Sequence, residues 1–141
     1  MNHRSAHTGD LRGRAAALAA FDRSDDLRGH APVAAEHRPA PEPLRSGGPE
    51  LLTHLRFDHD AFTLDVWVRA EGGMRSLSGL VAEEDPDSPR ARVHVRRPDR
   101  TLGRRVALDG SFGVAGLAPG PVSLVVEHRR DGAVATDWFT V

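Results

Sequence analysis

The segment DGSFGVAGLAPGPVSLVVE, from Asp109 to Glu127, constrains the fold of this chain more than any other. Asp109-Gly110 predicts a tight turn, and Phe112 and Val114 are the inward residues of the short strand after it. A second turn is expected at Leu117-Ala118-Pro119-Gly120-Pro121, where proline presets φ and glycine takes backbone angles other residues avoid. Val122, Leu124 and Val126 then fall on one face of a further strand. Turn residues between apolar runs of period two are the signature of an antiparallel sheet.

The same grammar runs upstream. From Glu50, Leu51, Leu55 and Phe57 alternate with Leu52, His54 and Arg56, and Asp58-His59-Asp60 makes a turn. Phe62, Leu64, Val66, Val68 and Ala70 form the cleanest alternation, leaving Thr63, Asp65, Trp67 and Arg69 on the other face. Gly72-Gly73 predicts a turn, and Leu77, Gly79 and Val81 the next strand. An acidic loop, EEDPDSP at 83–89, precedes inward Ala91, Val93 and Val95. Leu102 to Leu108 supplies another strand, Asp131-Gly132 a hairpin turn, and Val134 to Val141 the closing strand. In that closing strand either Trp138 or Phe139 must face the core. Seven to eight short strands, at turn intervals of roughly 8 to 12 residues, describe an antiparallel β-sandwich over 50–141.

The first part of the chain reads differently. Residues 1–29 are expected to be flexible apart from a short helix over about 10–21, with Asp10 as N-cap. Leu11, Ala15, Leu18 and Phe21 make its narrow apolar stripe, a candidate contact for a partner's groove. A helix this short is marginal alone in water. Residues 30–49 carry five prolines and no periodicity, the pattern of an extended linker.

Composition excludes chemistry. The 19 basic residues, all arginine, nearly balance 20 acidic ones, which argues against a chain built chiefly to neutralise nucleic acid. Arginine, alanine and glycine in place of lysine and isoleucine fit the codon usage of a GC-rich bacterium. Without cysteine there is no disulfide, thiolate nucleophile or sulfur-held metal, and without lysine no Schiff base. The N-terminal apolar run AAALAAF is too short for a secretory signal. A soluble cytoplasmic chain is the expectation.

Three groups of residues are candidate sites. Seven arginines lie between Arg90 and Arg105. Arg92, His94 and Arg96 on one strand, with Arg104 on its hairpin partner, would form a basic patch. Such a patch can be a solvated face, meet an acidic protein surface or grip phosphate. No aromatic residue lies between Arg90 and Arg105, so base stacking is not available there. Trp67 sits on the polar face of its strand, where it is either covered by the N-terminal segment or a contact for a protein or sugar. His54, Asp58, His59 and Asp60 carry metal-ligand atoms, yet Asp-His-Asp is ordinary turn chemistry. No metal, cofactor or catalytic set is expected: no nucleophile occupies an elbow and no carboxylate pair stands out.

SLSGLVAEEDP, RARVHVRRP and DGSFGVAGLAPGPVSLVVE together resemble the carboxypeptidase regulatory-like domain, a prealbumin-like β-sandwich. That resemblance implies a binding or scaffolding module. A narrower likeness joins Leu18-Ala19-Ala20-Phe21-Asp22 to Thr136-Asp137-Trp138. It resembles small bacterial accessory proteins of an alternative sigma factor, and implies a protein partner in transcription control. The expectation is a non-enzymatic interaction module, with a sandwich binding a carbohydrate or small anion as the alternative.

Overall fold

A computed structural model describes residues 27–39, 48–83, 92–128 and 132–141. The expected helix over 10–21, and with it Leu11, Ala15, Leu18 and Phe21, lies outside the described residues. Among those described there is no helix, and none therefore long and apolar enough to cross a membrane. The strands are β1 (Leu27–Ala31), β2 (Val33–His37), β3 (Glu50–Asp58), β4 (Phe62–Glu71), β5 (Met74–Glu83) and β6 (Arg92–Arg96). They continue as β7 (Thr101–Arg105), β8 (Ser111–Leu117), β9 (Pro121–His128), β10 (Gly132–Thr136) and β11 (Phe139–Thr140).

Two sheets result. The first runs β1-β10-β9-β6-β7, with β11 also paired to β9; the second runs β2-β3-β4-β5-β8. Leu55, Phe57, Leu64, Val66, Val68, Leu77 and Phe112 of the second sheet share one apolar core with Val93, Val95, Leu124, Val126 and Val134 of the first. Phe57 meets Phe139 across it, ring centroids 5.6 Å apart. Period-two alternation thus produces what it predicts in β3, β4, β5 and β8, where one face lines the core. Phe139 is the inward member of its pair with Trp138.

Glycine is required at two places for different reasons. Gly110 has φ +90°, and a Cβ there would come within 2.3 Å of the Val81 carbonyl oxygen. That turn is tied to β5 by the Val81 N–H, which donates to the Gly110 carbonyl at 2.8 Å. Gly79 lies in a strand, where a Cβ would stand 2.2 Å from the Phe112 ring opposite it in register. The missing side chain lets the aromatic ring fill the core.

The structure departs from the sequence expectations at three points. Residues 30–37, expected in the linker, instead complete β1 and form β2, one on the edge of each sheet. The chain crosses between sheets at Pro32, and the Asp137 carboxylate holds the crossing. It accepts from His30 Nε2 and from the Val33 N–H, the latter at 3.1 Å. The folded part therefore begins by Leu27 rather than near Glu50. The remainder of the expected linker, over 40–47, lies outside the described residues. Second, nine strands lie among the described residues of 50–141, against the seven or eight expected, β10 and β11 standing where one closing strand was expected. Third, the sheets are not wholly antiparallel, because β1 pairs parallel with β10. Some 100 residues separate those strands, more than the dozen or so a parallel connection needs.

Strand β9 is buried on both faces from Pro121 to Val126, including Ser123 and Val125. The polar side is closed by a network: Arg96 donates to Ser123 Oγ at 2.8 Å and lies 5.2 Å over the Trp138 ring. Thr136 Oγ1 accepts the Leu124 N–H and donates to the Asp137 carbonyl, both at 3.0 Å. Asp137-Trp138 interrupts the closing strand, expected to be continuous, so that β10 and β11 pair with different halves of β9.

Two measurements check this account. Gly79→Ala overpacks the core against Phe112 and should cost about 1–3 kcal/mol by urea unfolding. Gly113→Ala, whose Cβ meets nothing nearer than 3.7 Å, should cost well under half of that. Asp137→Ala should weaken the β1–β2 crossing by about 1 kcal/mol, raising amide exchange at Val33 about fivefold while Leu64 and Val66 are unchanged.

Candidate functional site

The outer face of the second sheet gathers the side chains with the most chemistry. The turn at Asp58–Ala61 fixes the register of β3 against β4: Arg56 opposes Asp65 and His54 opposes Trp67. On β5, Leu80 stands opposite Asp65 and Ser78 opposite Trp67. Two rows therefore cross the sheet, Arg56–Asp65–Leu80 and His54–Trp67–Ser78, extended on β2 by Ala35 and His37.

Within these rows contacts are specific. The imidazole of His54 stacks on the Trp67 indole at 4.8 Å, the planes within 2°. Its Nε2 is 2.9 Å from Asp65 Oδ1, which also accepts from Arg56 Nε at 3.3 Å. Arg56 NH2 reaches Asp65 Oδ2 at 3.3 Å, so the guanidinium engages the carboxylate with two nitrogens. The Asp65 side chain is only 11% exposed against 33% for His54. Burial pushes the Asp65 carboxyl up, but the hydrogen bonds from Arg56 and His54 and the Arg56 charge outweigh it, leaving the group below its usual range. Hydrogen bonding to Asp65, with its negative charge, raises Arg56 in turn. The result is a chain of support: Arg56 holds Asp65, Asp65 holds His54, and His54 holds one face of Trp67.

A histidine bonded to a buried carboxylate is two-thirds of a nucleophilic triad. The hydroxyl in the same row, that of Ser78, is not placed as its third part. It lies beyond Trp67 and accepts from Arg69 NH1 at 2.9 Å. The His54, Asp58, His59 and Asp60 group does not converge on a metal either. The His59 ring accepts the Ala61 N–H at 3.1 Å through Nδ1 and stacks on Phe62, while His54 faces Trp67. Among the described residues no group of three or more histidine, aspartate or glutamate side chains is placed to hold a metal ion.

The arginine hairpin is only partly the patch expected. Register sets Arg92 opposite Arg105, His94 opposite Gly103 and Arg96 opposite Thr101. Arg104 opposes inward Val93 and so belongs to the other face; Arg105 takes the place expected for it beside Arg92. Several of these side chains have structural partners. Arg96 covers Ser123 against Trp138, Arg97 NH2 donates to the Ala118 carbonyl at 2.6 Å, and His94 Nε2 meets Glu127 Oε2 at 2.8 Å.

Sequence reasoning missed Asp65 and Arg56 as members of a site. A signal was present: counting outward from the Asp58-His59-Asp60 turn pairs Arg56 with Asp65 and His54 with Trp67. No protein-family model matches the chain, and no curated protein or solved structure matches it.

The depressed Asp65 carboxyl makes stability depend on pH. Its folded value lies below the unfolded one, about 3.9, so the unfolded chain binds more protons between the two. Its contribution is complete above that range and is lost as pH falls through the folded value. Asp109, lowered by the Ser111 hydroxyl and N–H, acts with the same sign. The urea midpoint should therefore fall between pH 6 and pH 2, and Asp65→Asn should flatten part of that fall.

Proposed function

We propose that this chain is a non-enzymatic protein-interaction module whose contact surface is the outer face of the second sheet, centred on Trp67. One observation carries the reading: the partly exposed Trp67 is stacked on one face by His54, which Asp65 and Arg56 hold by hydrogen bonds. Binding hot spots favour tryptophan and arginine, and a side chain fixed before binding loses less entropy when it docks. Leu80 flanks the site on β5 and Met74, 44% exposed, lies farther along that strand, an apolar and polar mixture suited to a protein surface.

The two-sheet arrangement supports reading the module in the manner of a carboxypeptidase regulatory-like scaffold. A partner in transcription control, such as a sigma factor, rests on the likeness at Leu18–Asp22 and Thr136–Trp138. Leu18–Asp22 lies outside the described residues, and Thr136 and Trp138 serve the bonding within the first sheet. Support for contact therefore comes from the Trp67 face.

The second reading is a site for a carbohydrate or small anion, favoured by an accessible indole near Arg56 and Arg69. His54 already occupies one face of Trp67, so a sugar could stack only on the face toward Ser78. Trp67→Ala should lower affinity for a protein captured from the native cell by about 30-fold, the effect of a hot spot near 2 kcal/mol, with circular dichroism unchanged. Capture that survives Trp67→Ala would overturn the protein reading. Glycan binding that the same substitution abolishes would establish the alternative.

A further inference from the structure

The hairpin β6–β7 lies in the first sheet, apart from the Trp67 face in the second, and carries two opposed arginines. Arg92 and Arg105 are directly opposed on the outer face of the first sheet, and both are exposed. Like charges opposite one another destabilise a strand pair. The carboxylate across from Arg92 on the other side is Glu127, and His94 engages it at 2.8 Å. Neither Arg92 nor Arg105 forms an ion pair among the described residues.

Strand β7 is also an edge. Among the described residues it pairs with β6 alone and ends the order of the first sheet. Gly103 sits at its centre, opposite His94, whose ring lies 3.6 Å from where a Cβ would stand. A glycine inside a strand is a place where another backbone can come close. The Gly103 carbonyl accepts from Arg104 NH1 at 2.8 Å.

We propose that β7 takes an extended acidic peptide segment by strand addition, with carboxylates of the incoming strand facing Arg105 and Arg92. Residues opposed in register share a face, so an acidic residue entering opposite Arg105 extends the row Glu127–Arg92–Arg105 with a negative charge. The backbone supplies affinity and the arginines supply the choice of an acidic partner. An apolar residue at the alternate position of the incoming strand meets Leu102, which opposes inward Val95 and is half-buried. Nucleic acid is disfavoured, since residues 92–105 contain no phenylalanine, tyrosine or tryptophan to stack on a base, and the His94 ring is engaged by Glu127. Binding here is independent of the Trp67 face.

The test titrates the full chain into a fluorescein-labelled octapeptide of alternating valine and glutamate, read by anisotropy. Three other probes accompany it: the same peptide N-methylated at alternate residues, a valine–lysine counterpart, and a single-stranded oligonucleotide. The glutamate peptide should bind, and the paired substitution Arg92→Glu and Arg105→Glu should weaken it at least tenfold and turn the preference toward the lysine peptide. Arg105→Gln, a milder change, should weaken it severalfold, with Trp67→Ala without effect. N-methylation should abolish binding while leaving the charge intact. No binding of the glutamate peptide, equal binding of the N-methylated one, or tighter binding of the oligonucleotide would each overturn the proposal.

Discussion

Burial of a single apolar layer between the two sheets is the constraint from which the rest of this structure follows. Central strands β4 and β9 supply its densest part, with Leu64, Val66, Leu124 and Val126 wholly enclosed. Because those side chains must point inward, their neighbours must point outward, and the chemistry of the molecule is confined to two outer faces. The faces then diverge. On the first sheet Arg96, Trp138, Ser123 and Thr136 bond to one another and close the surface over β9. On the second sheet the Asp65 carboxylate gathers Arg56 and His54 but leaves Trp67 half-exposed. The same alternation therefore makes a sealed face and an open one.

Much of this was legible in the sequence, and what was not has physical reasons. Strands β3, β4, β5, β8 and β9 follow from apolar residues at every second position, because one face of each is buried. β2 gave no such signal, since all five of its residues are exposed and burial imposes no alternation on them. β1 is short and contains glycine, and its parallel partner lies some 100 residues away. Prolines around them were read as linker, yet Pro32 marks the point where the chain leaves one sheet for the other. The alternation also misled at Ser123 and Val125, outward by period but covered by side chains from elsewhere in the chain.

The candidate sites show the same division between local and distant information. Alternation places Trp67 on the polar face of its strand, but its support from His54, Asp65 and Arg56 depends on strand register. That register was recoverable from the hairpin turn. Arg104 was misplaced for a related reason: in the β6–β7 hairpin the register pairs it with inward Val93, and Arg105 takes the outer position. One residue of register decides which arginine reaches the surface.

If one core unites both sheets, they unfold as a unit. Native-state hydrogen exchange tests this most directly, following the amides of Leu64 and Val66 in the second sheet and of Leu124 and Val126 in the first. The account predicts that all four exchange with the same free energy, equal to that of global unfolding and shifted equally by denaturant. Distinct free energies for the two sheets, with one exchanging by an opening that spares the other, would contradict it.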